Sequence, residues 1–157
     1  MQTWNQEQQQ NQDQEPAQAP SKAAGNGSSI MVKERARLEF LPALFGEKLM
    51  LRGEVAVYAF CERMVPAYNG GLWDFFELPN GGRFMAPSIE GPVRVMVEGN
   101  GFEGEMSAEA VGITVCLFAL SHLSFHFAEP LLAEGYHLLR DYAADHPEAS
   151  LIFAAID

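Results

Sequence analysis

The chain has 157 residues, of which 48% are hydrophobic and 20% are charged, so it fits one compact domain and is too short for two full ones. Lysine and arginine number 10 against 21 aspartates and glutamates, which gives a formal net charge of −11. This balance argues against tight binding to the phosphate backbone of a nucleic acid, because such affinity comes from cations that displace condensed counterions.

The first 30 residues differ in composition from the rest of the chain. They contain eight glutamines, and their only large apolar residues are Met1, Trp4 and Ile30. Such a segment cannot bury enough apolar surface to offset the entropy lost on ordering. We therefore predict a disordered, dispensable tail over residues 1–30 and one folded domain over residues 31–157.

An amphipathic helix is predicted over residues 54–65. The apolar residues that recur at helical spacing there are Val57, Phe60, Cys61 and Met64. Pro66 ends this helix, because the residue before a proline is driven out of the helical region.

Three short strands are predicted in the middle of the chain. Residues 72–78 are rich in aromatic side chains, the turn-forming run 79–82 follows, and residues 83–86 return as a second strand. Gly91 marks another turn, and valines alternate with other side chains over residues 93–98. Because short turns join these strands, we predict an antiparallel three-stranded meander.

The carboxyl-terminal third of the chain predicts three helices. Ser107 is placed to cap a helix that is apolar nearly all round as far as Phe127, which is typical of a central buried helix. Pro130 suits the first turn of the next helix, and Pro147 breaks that helix before a short one over residues 148–156. The predicted fold class is therefore α+β, a single domain in which a small three-stranded meander packs with about four helices.

Residues 99–104 match the formal pattern G-x-G-x-x-G of dinucleotide-binding loops. The pattern requires a helix that starts directly at the phosphate, whereas the cap signal at Ser107 comes three residues late. Glu103 and Glu105 would also place two carboxylates beside a phosphate. We therefore interpret this segment as a glycine-rich turn with positive φ angles and not as a nucleotide site.

His122 and His126 lie four residues apart, a spacing that lets two imidazoles on one helix face share a metal ion. No glutamate follows His122 as in a His-Glu-x-x-His motif, and the spacing does not place Glu129, His137 or His146 as a third ligand. Hydrogen-bonded histidines near a helix end are the simpler interpretation. We predict no metal site and no cofactor.

Catalytic signals are missing from the sequence. It has no G-x-S-x-G nucleophile elbow, and Cys61 and Cys116 lie in apolar stretches without metal-type spacing. We expect both cysteines to be reduced core residues of a cytoplasmic protein, since no signal peptide is visible and no apolar run is long enough to span a bilayer.

An acidic ridge is predicted on the helix that follows Pro130, formed by Glu134, Asp141 and Asp145. Such a row suggests a DNA mimic, in which carboxylates replace phosphates. Its members are spaced by about 10 and 6 Å along a helix, whereas DNA carries about one charge per 1.7 Å. The ridge is therefore interpreted as a solvated face, with mimicry kept as the alternative.

Several strings of the sequence resemble the KlcA/ArdB-type antirestriction proteins of plasmids and other mobile elements. They are FLPALFG (40–46), GEVAVYAF (53–60), YNGGLWDFFELPNGGRFMAP (68–87), VEGNGFEGEMSAEAVGI (97–113) and HPEASLIFAAID (146–157). The resemblance implies a small α+β protein that is not an enzyme. It also implies that the protein helps incoming DNA escape type I restriction endonucleases and leaves methylation largely untouched, so there are no catalytic residues to carry over.

The expected partner is the type I restriction complex or a host factor acting on it, with no direct contact to nucleic acid or membrane, and we expect a monomer. The candidate contact residues, chosen for expected exposure and charge, are Trp73, Asp74, Glu77, Glu103, Glu105, Glu134, Asp141 and Asp145. The alternative for Trp73 is core packing, since tryptophan is well buried on average. The rival functions are an acidic DNA-mimic module and a metal- or nucleotide-dependent enzyme.

Overall fold

Helices and two antiparallel sheets make up the part of the chain described by the computed structural model, residues 28–32 and 36–157. The elements are β1 (Ile30–Met31), α1 (Arg37–Phe45), α2 (Met50–Met64), β2 (Trp73–Glu77), β3 (Arg83–Pro87), β4 (Val93–Val97), β5 (Phe102–Met106), α3 (Ala108–His126), α4 (Pro130–Ala144) and α5 (Ala149–Ile156). The α+β class is confirmed, with five helices where about four were predicted.

The predicted three-stranded meander is wrong in its third strand. The three-stranded sheet has the order β1-β2-β3, and β4 pairs instead with β5 in a separate two-stranded sheet. Strand β5 was not predicted, because Gly104 interrupts the apolar alternation of this segment. The pleat is nevertheless there: Phe102 and Met106 point inward while Glu103 and Glu105 are exposed. The ring of Phe102 lies so close to Gly104 that a β-carbon there would sit 2.9 Å from the ring.

Residues 99–104, which the sequence predicted to be a glycine-rich turn, form the turn of the β4–β5 hairpin and the first part of β5. Gly101 has a φ of 73°, and its N–H donates to the carbonyl of Val97 at 2.9 Å. The Asn100 amide also donates to the carbonyl oxygens of Ala154 and Ala155 at 3.1 and 3.0 Å. Asn100 thereby satisfies carbonyls that the end of α5 leaves without a helical partner.

Helix α3 is the central buried helix that its composition predicted. It packs on β3 so closely that a β-carbon at Gly112 would lie 2.5 Å from the Ala86 β-carbon and 2.6 Å from the Met85 carbonyl oxygen. By length and composition alone α3 could cross a membrane, with 19 residues and a mean hydropathy of 1.6, but most of its surface is buried in the fold. Its apolar character is thus accounted for by the core.

Both cysteines lie in this core, as predicted, and neither is in a disulfide. Burial raises the pKa of Cys61 to about 12 and that of Cys116 to about 12. The Cys116 thiol also lies 3.4 Å from the backbone nitrogen of Met85. Both thiols therefore stay protonated near neutral pH and are poor nucleophiles.

The amino-terminal part of the domain holds structure that the sequence did not predict. Helix α1 was missed, because Pro42 lies inside it, and α2 begins at Met50 rather than at residue 54. Gly53 lets the two helices approach, since a β-carbon there would lie 2.2 Å from the Phe45 ring. The predicted tail falls outside the described residues except for 28–30, where Ile30 already pairs with Glu77 of β2.

Candidate functional site

Two of the candidate carboxylates stand on the outward face of strand β5. Glu103 and Glu105 are both exposed, and the Arg94 side chain on β4 forms an ion pair with Glu103. Arg94 lies directly opposite Glu105 in the strand register. The two carboxylates therefore sit on a paired strand, not on the loop that the sequence predicted, and one basic side chain partly offsets their charge.

Beside Glu105 the structure has an open cleft of about 690 Å³ at the amino-terminal end of α3. Its lining residues are Ile89, Gly91, Pro92, Glu105, Met106, Ser107, Ala108, Glu109 and Glu148. Apolar side chains and backbone thus alternate with three carboxylates. A concave surface of this kind can hold a partner's side chain and fix its orientation by a few polar contacts.

Glu109 anchors a hydrogen-bond network at one edge of the cleft. Its Oε1 atom accepts hydrogen bonds from the Ser29 hydroxyl at 3.3 Å and from the Tyr142 hydroxyl at 3.2 Å. The Nε2 atom of the nearly buried His146 lies 3.8 Å away. Partial burial, foremost among several causes, raises the pKa of the Tyr142 phenol. This carboxylate therefore joins β1's leading segment to α3 and α4.

Glu148 anchors the other edge by holding the first turn of α3. The Ser107 N–H donates to Glu148 at 2.9 Å, and the Ser107 hydroxyl donates to the second carboxylate oxygen. The same hydroxyl accepts from the Ala110 N–H at 3.2 Å, which confirms Ser107 as the helix cap. A negative charge at a helix amino terminus is favourable, because it faces the positive end of the helix dipole.

Trp73 is buried, not exposed, so core packing is the correct interpretation for this residue. Its ring lies among Tyr58 and Tyr68, and its Nε1 donates to the Tyr68 hydroxyl at 3.1 Å. Only 6% of Trp73 is exposed. The exposure on which it was chosen as a contact residue is therefore missing.

Asp74 and Glu77 lie on the same strand as Trp73, and neither lines the cleft. Asp74 accepts a hydrogen bond from the Ser88 hydroxyl at 2.8 Å. Glu77 lies 3.5 Å from the Nε atom of Arg83 on the neighbouring strand. Both carboxylates are thus engaged with neighbouring strand or loop residues.

The acidic ridge of α4 is exposed, and none of its three members lines the cleft. Glu134, Asp141 and Asp145 are all on the solvent side of α4, whose Leu132 and Leu139 are buried. The structure thus divides the eight sequence candidates among three places: β2, β5 with the cleft, and α4.

The two alternative chemistries receive no support from the geometry. The formal G-x-G-x-x-G segment forms a hairpin and runs into a strand, so it does not lead directly into a helix start for a phosphate. His122 and His126 have ring centroids 4.6 Å apart. Within residues 28–32 and 36–157 no third side chain joins them in a group able to hold a metal ion.

Sequence reasoning missed the residues that shape the cleft, above all Glu109 and Glu148. Each lies in a string on which the resemblance rests, 97–113 and 146–157, and the cleft is where these strings meet. The available signal was that one string contains the cap Ser107 and another contains Glu148. Ser107 and Glu148 are 41 positions apart along the chain, so no local pattern could reveal their contact.

Known proteins resemble this chain along nearly all of its described length. A family model for antirestriction proteins matches residues 66–157. The antirestriction protein KlcA of Escherichia coli is 46% identical over 131 residues, which is 81% of this chain and 92% of that protein. The protein YfjX of Escherichia coli K12 is 40% identical over 133 residues, which is 83% of this chain and 88% of that protein.

A solved structure of the KlcA and ArdB proteins superimposes on this fold with a TM-score of 0.76 at 46% sequence identity. The match covers 83% of this chain and 94% of that one. Those proteins have a fold described as novel, and they show antirestriction activity against type I DNA restriction systems in vivo but not in vitro.

Proposed function

The chain belongs to the antirestriction protein family, and from this premise we propose that it protects incoming DNA of a mobile element from type I restriction endonucleases. It acts as a non-enzymatic interaction protein of the cytoplasm and works as a monomer. The observation that carries the proposal is the match to KlcA and ArdB in both sequence and fold over more than four fifths of the chain.

The activity is proposed to need a component of the cell. The similar KlcA and ArdB proteins act against type I systems in vivo but not in vitro. A protein that simply blocked the endonuclease by binding it would be expected to do so with purified components. This difference favours either a host factor as the partner or a restriction complex in a state that exists only in the cell.

We assign the contact to the outward face of β5 and the neighbouring cleft. Glu103 and Glu105 are held on a hairpin whose turn is tied to α5 by Asn100. The cleft beside them is fixed by the hydrogen bonds of Glu148 to the start of α3. Rigid support on both sides lowers the entropy lost on binding, which makes this face better suited to a specific contact than an isolated exposed helix.

The DNA-mimic alternative is less well supported. Glu103 is paired with Arg94, and Glu77 is paired with Arg83. Asp74 lies 4.0 Å from the side chain of Arg37. These arginines partly neutralise the carboxylates, whereas a DNA mimic needs a continuous negative field along its surface. The ridge on α4 remains sparse compared with the phosphate spacing of DNA.

The direct test is to plate unmodified phage on cells that carry a type I restriction system, with and without this protein. We expect a higher plating efficiency when the protein is present. Two controls are needed: cells without the restriction system, and phage already modified against it, in which the protein should change nothing. Equal restriction with and without the protein would overturn the proposal.

A further inference from the structure

Helices α2 and α3 present a second surface whose character is opposite to that of the acidic cleft. We call it the α2/α3 face and define it by Arg52, Phe60, Arg63, His122, Phe125 and His126. The two helices run antiparallel, since Phe60 lies beside Phe118 and His122 while Arg52 lies over the ring of Phe127.

Aromatic rings form the middle of the α2/α3 face. The Phe60 ring centroid is 5.5 Å from that of Phe118 and 5.9 Å from that of His122, and the His122 ring is 4.6 Å from that of His126. Phe125 is 86% exposed. It follows His122 by three residues, so the two are neighbours on the helix surface. An exposed aromatic cluster of this kind is typical of a contact surface.

Two arginines border these rings. The Arg63 guanidinium carbon is 5.9 Å from the centroid of Phe60, and that of Arg52 is 5.6 Å from the centroid of Phe127. A guanidinium that lies over a ring is held in place while its N–H edge remains available to a carboxylate. Both arginines are exposed. The face therefore combines apolar area with two positioned donors for an anionic group.

Within residues 28–32 and 36–157, the acidic side chains of α2 and α3 lie away from the Phe60 ring, although the whole chain has a net charge of −11. The one acidic residue of α3 is Glu109, in its first turn, at the opposite end from His126. On α2, Glu54 accepts a hydrogen bond from Tyr58, and Glu62 lies about 200° around the helix from Phe60. Along the chain, Glu62 directly precedes Arg63 and Glu129 follows His126 by three residues, so these acids border the face.

We propose that the α2/α3 face is the docking site for an acidic, apolar segment of a partner protein. Exposed rings receive the apolar side chains of such a segment, and Arg52 and Arg63 receive its carboxylates. A single-stranded nucleic acid would also use rings and arginines. It is disfavoured because the strongly negative chain repels a phosphate backbone.

The cleft lies at the first turn of α3, whereas the α2/α3 face extends from the middle of α3 to His126 at its last turn. At 1.5 Å per residue the two ends of the helix are about 27 Å apart. They can therefore bind different partners at the same time. The inference does not depend on the proposed antirestriction activity, because it follows from the exposure and charge of residues outside the cleft.

Binding is tested with a fluorescently labelled peptide that carries Glu, Leu and Phe at helical spacing, measured by fluorescence anisotropy with the full chain. Two further probes are the same peptide with Lys in place of Glu and a thymine oligonucleotide. We expect the acidic peptide to bind and added salt to weaken the binding, since exposed charge pairs are screened. The Lys peptide and the oligonucleotide should not bind.

Variants place the binding on this face. The double variant Arg52→Glu with Arg63→Glu should lower the affinity for the acidic peptide by about tenfold or more, and so should the single variant Phe125→Ser. The matched controls are Arg140→Glu, an exposed arginine of α4, and Leu72→Ser, an apolar residue that is 80% exposed. Neither control should change the affinity. All these side chains are exposed, so circular dichroism should show unchanged folding.

Three results would overturn the inference. The first is failure of the acidic peptide to bind, or equal binding by the Lys peptide. The second is oligonucleotide binding that the same variants abolish, which would assign the face to nucleic acid. The third is a dimer of the chain that Phe125→Ser converts to monomer in light scattering, which would assign the face to a second copy. Phage plating is scored separately, so its failure is distinguishable.

Discussion

The two ends of α3 are built differently. At the amino-terminal end, Ser107 and Glu109 are hydrogen-bonded to side chains from β1's leading segment, α4 and the start of α5. At the carboxyl-terminal end, His122, Phe125 and His126 are exposed. One helix thus has an end whose side chains hold the fold together and an end whose side chains are available for contact.

The difference shows why a charged side chain is a weak guide to function by itself. The carboxylates of Glu109 and Glu148 have hydrogen-bond partners, so much of their contribution is to the shape of the cleft. Phe125, which carries no charge, is the more informative surface feature, because it is 86% exposed beside other aromatic rings, and a contiguous exposed apolar patch is typical of a contact surface. Substitutions along α3 separate these contributions.

The largest effect is expected in the middle of α3, on which both ends depend. Gly112→Ala should destabilise the protein by about 3 kcal/mol, because the new methyl group would meet the Met85 carbonyl oxygen and Ala86 at overlapping distances. Urea denaturation followed by circular dichroism measures the change. The control is Gly135→Ala on α4, where the nearest atom is 3.7 Å away and the stability should stay equal or rise. Equal losses in both would contradict the close packing of α3 on β3.

The second effect is a loss of stability at alkaline pH, caused by the two buried cysteines of the core, Cys61 and Cys116. Folding raises the pKa of Cys61 and of Cys116 from 9.0 to about 12, so the folded chain retains protons that the unfolded chain loses. The resulting stability is present below pH 9 and is lost as pH rises towards 12. Between pH 9 and pH 10, each thiol should lower the free energy of unfolding by about 1 kcal/mol.

Urea denaturation at a series of pH values checks this slope. The variant Cys61→Ala with Cys116→Ala is less stable at neutral pH, because it leaves cavities, but its stability should fall less steeply above pH 9. A slope that is the same in both proteins would mean that other groups cause the alkaline loss.

The third effect compares two acidic surfaces. Glu103→Lys with Glu105→Lys should reduce protection against restriction by about tenfold, which matches the loss of one charge-paired contact. Glu134→Gln, Asp141→Asn and Asp145→Asn together should leave most of the protection in place. Plating efficiency of unmodified phage measures both, at equal protein levels. Protection that falls in proportion to the charge removed, whichever residues are chosen, would favour the DNA mimic.

The smallest effect compares two serines at the two ends of α3. Ser107→Ala removes the helix cap and the bond to Glu148, and should cost about 1 kcal/mol of stability. Ser124→Ala removes only a bond to the carbonyl of Ser121 within the helix, and should change stability by less than about 0.5 kcal/mol. Thermal melting resolves the difference. A larger loss at Ser124 would reverse our description of the two ends.

Local signals predicted the helices well wherever one turn of chain contains the cause. Ser107 caps α3 through a bond to a residue three positions on, and Pro130 stands in the first turn of α4. Strand β5 was missed, because Gly104 carries no side chain to complete the alternation. Helix α1 was missed, because the proline inside it argues locally against a helix.

Composition, periodicity and the family strings by themselves determined the α+β class, the central buried helix, the buried reduced cysteines and the antirestriction family. Only the tertiary structure decided that Trp73 is in the core, that β4 pairs with β5, and that Glu148 reaches Ser107 to shape a cleft. The physical reason is range. Capping and amphipathic spacing act within a few residues, whereas burial and side-chain hydrogen bonds join positions far apart in the chain, where sequence patterns carry no information about distance.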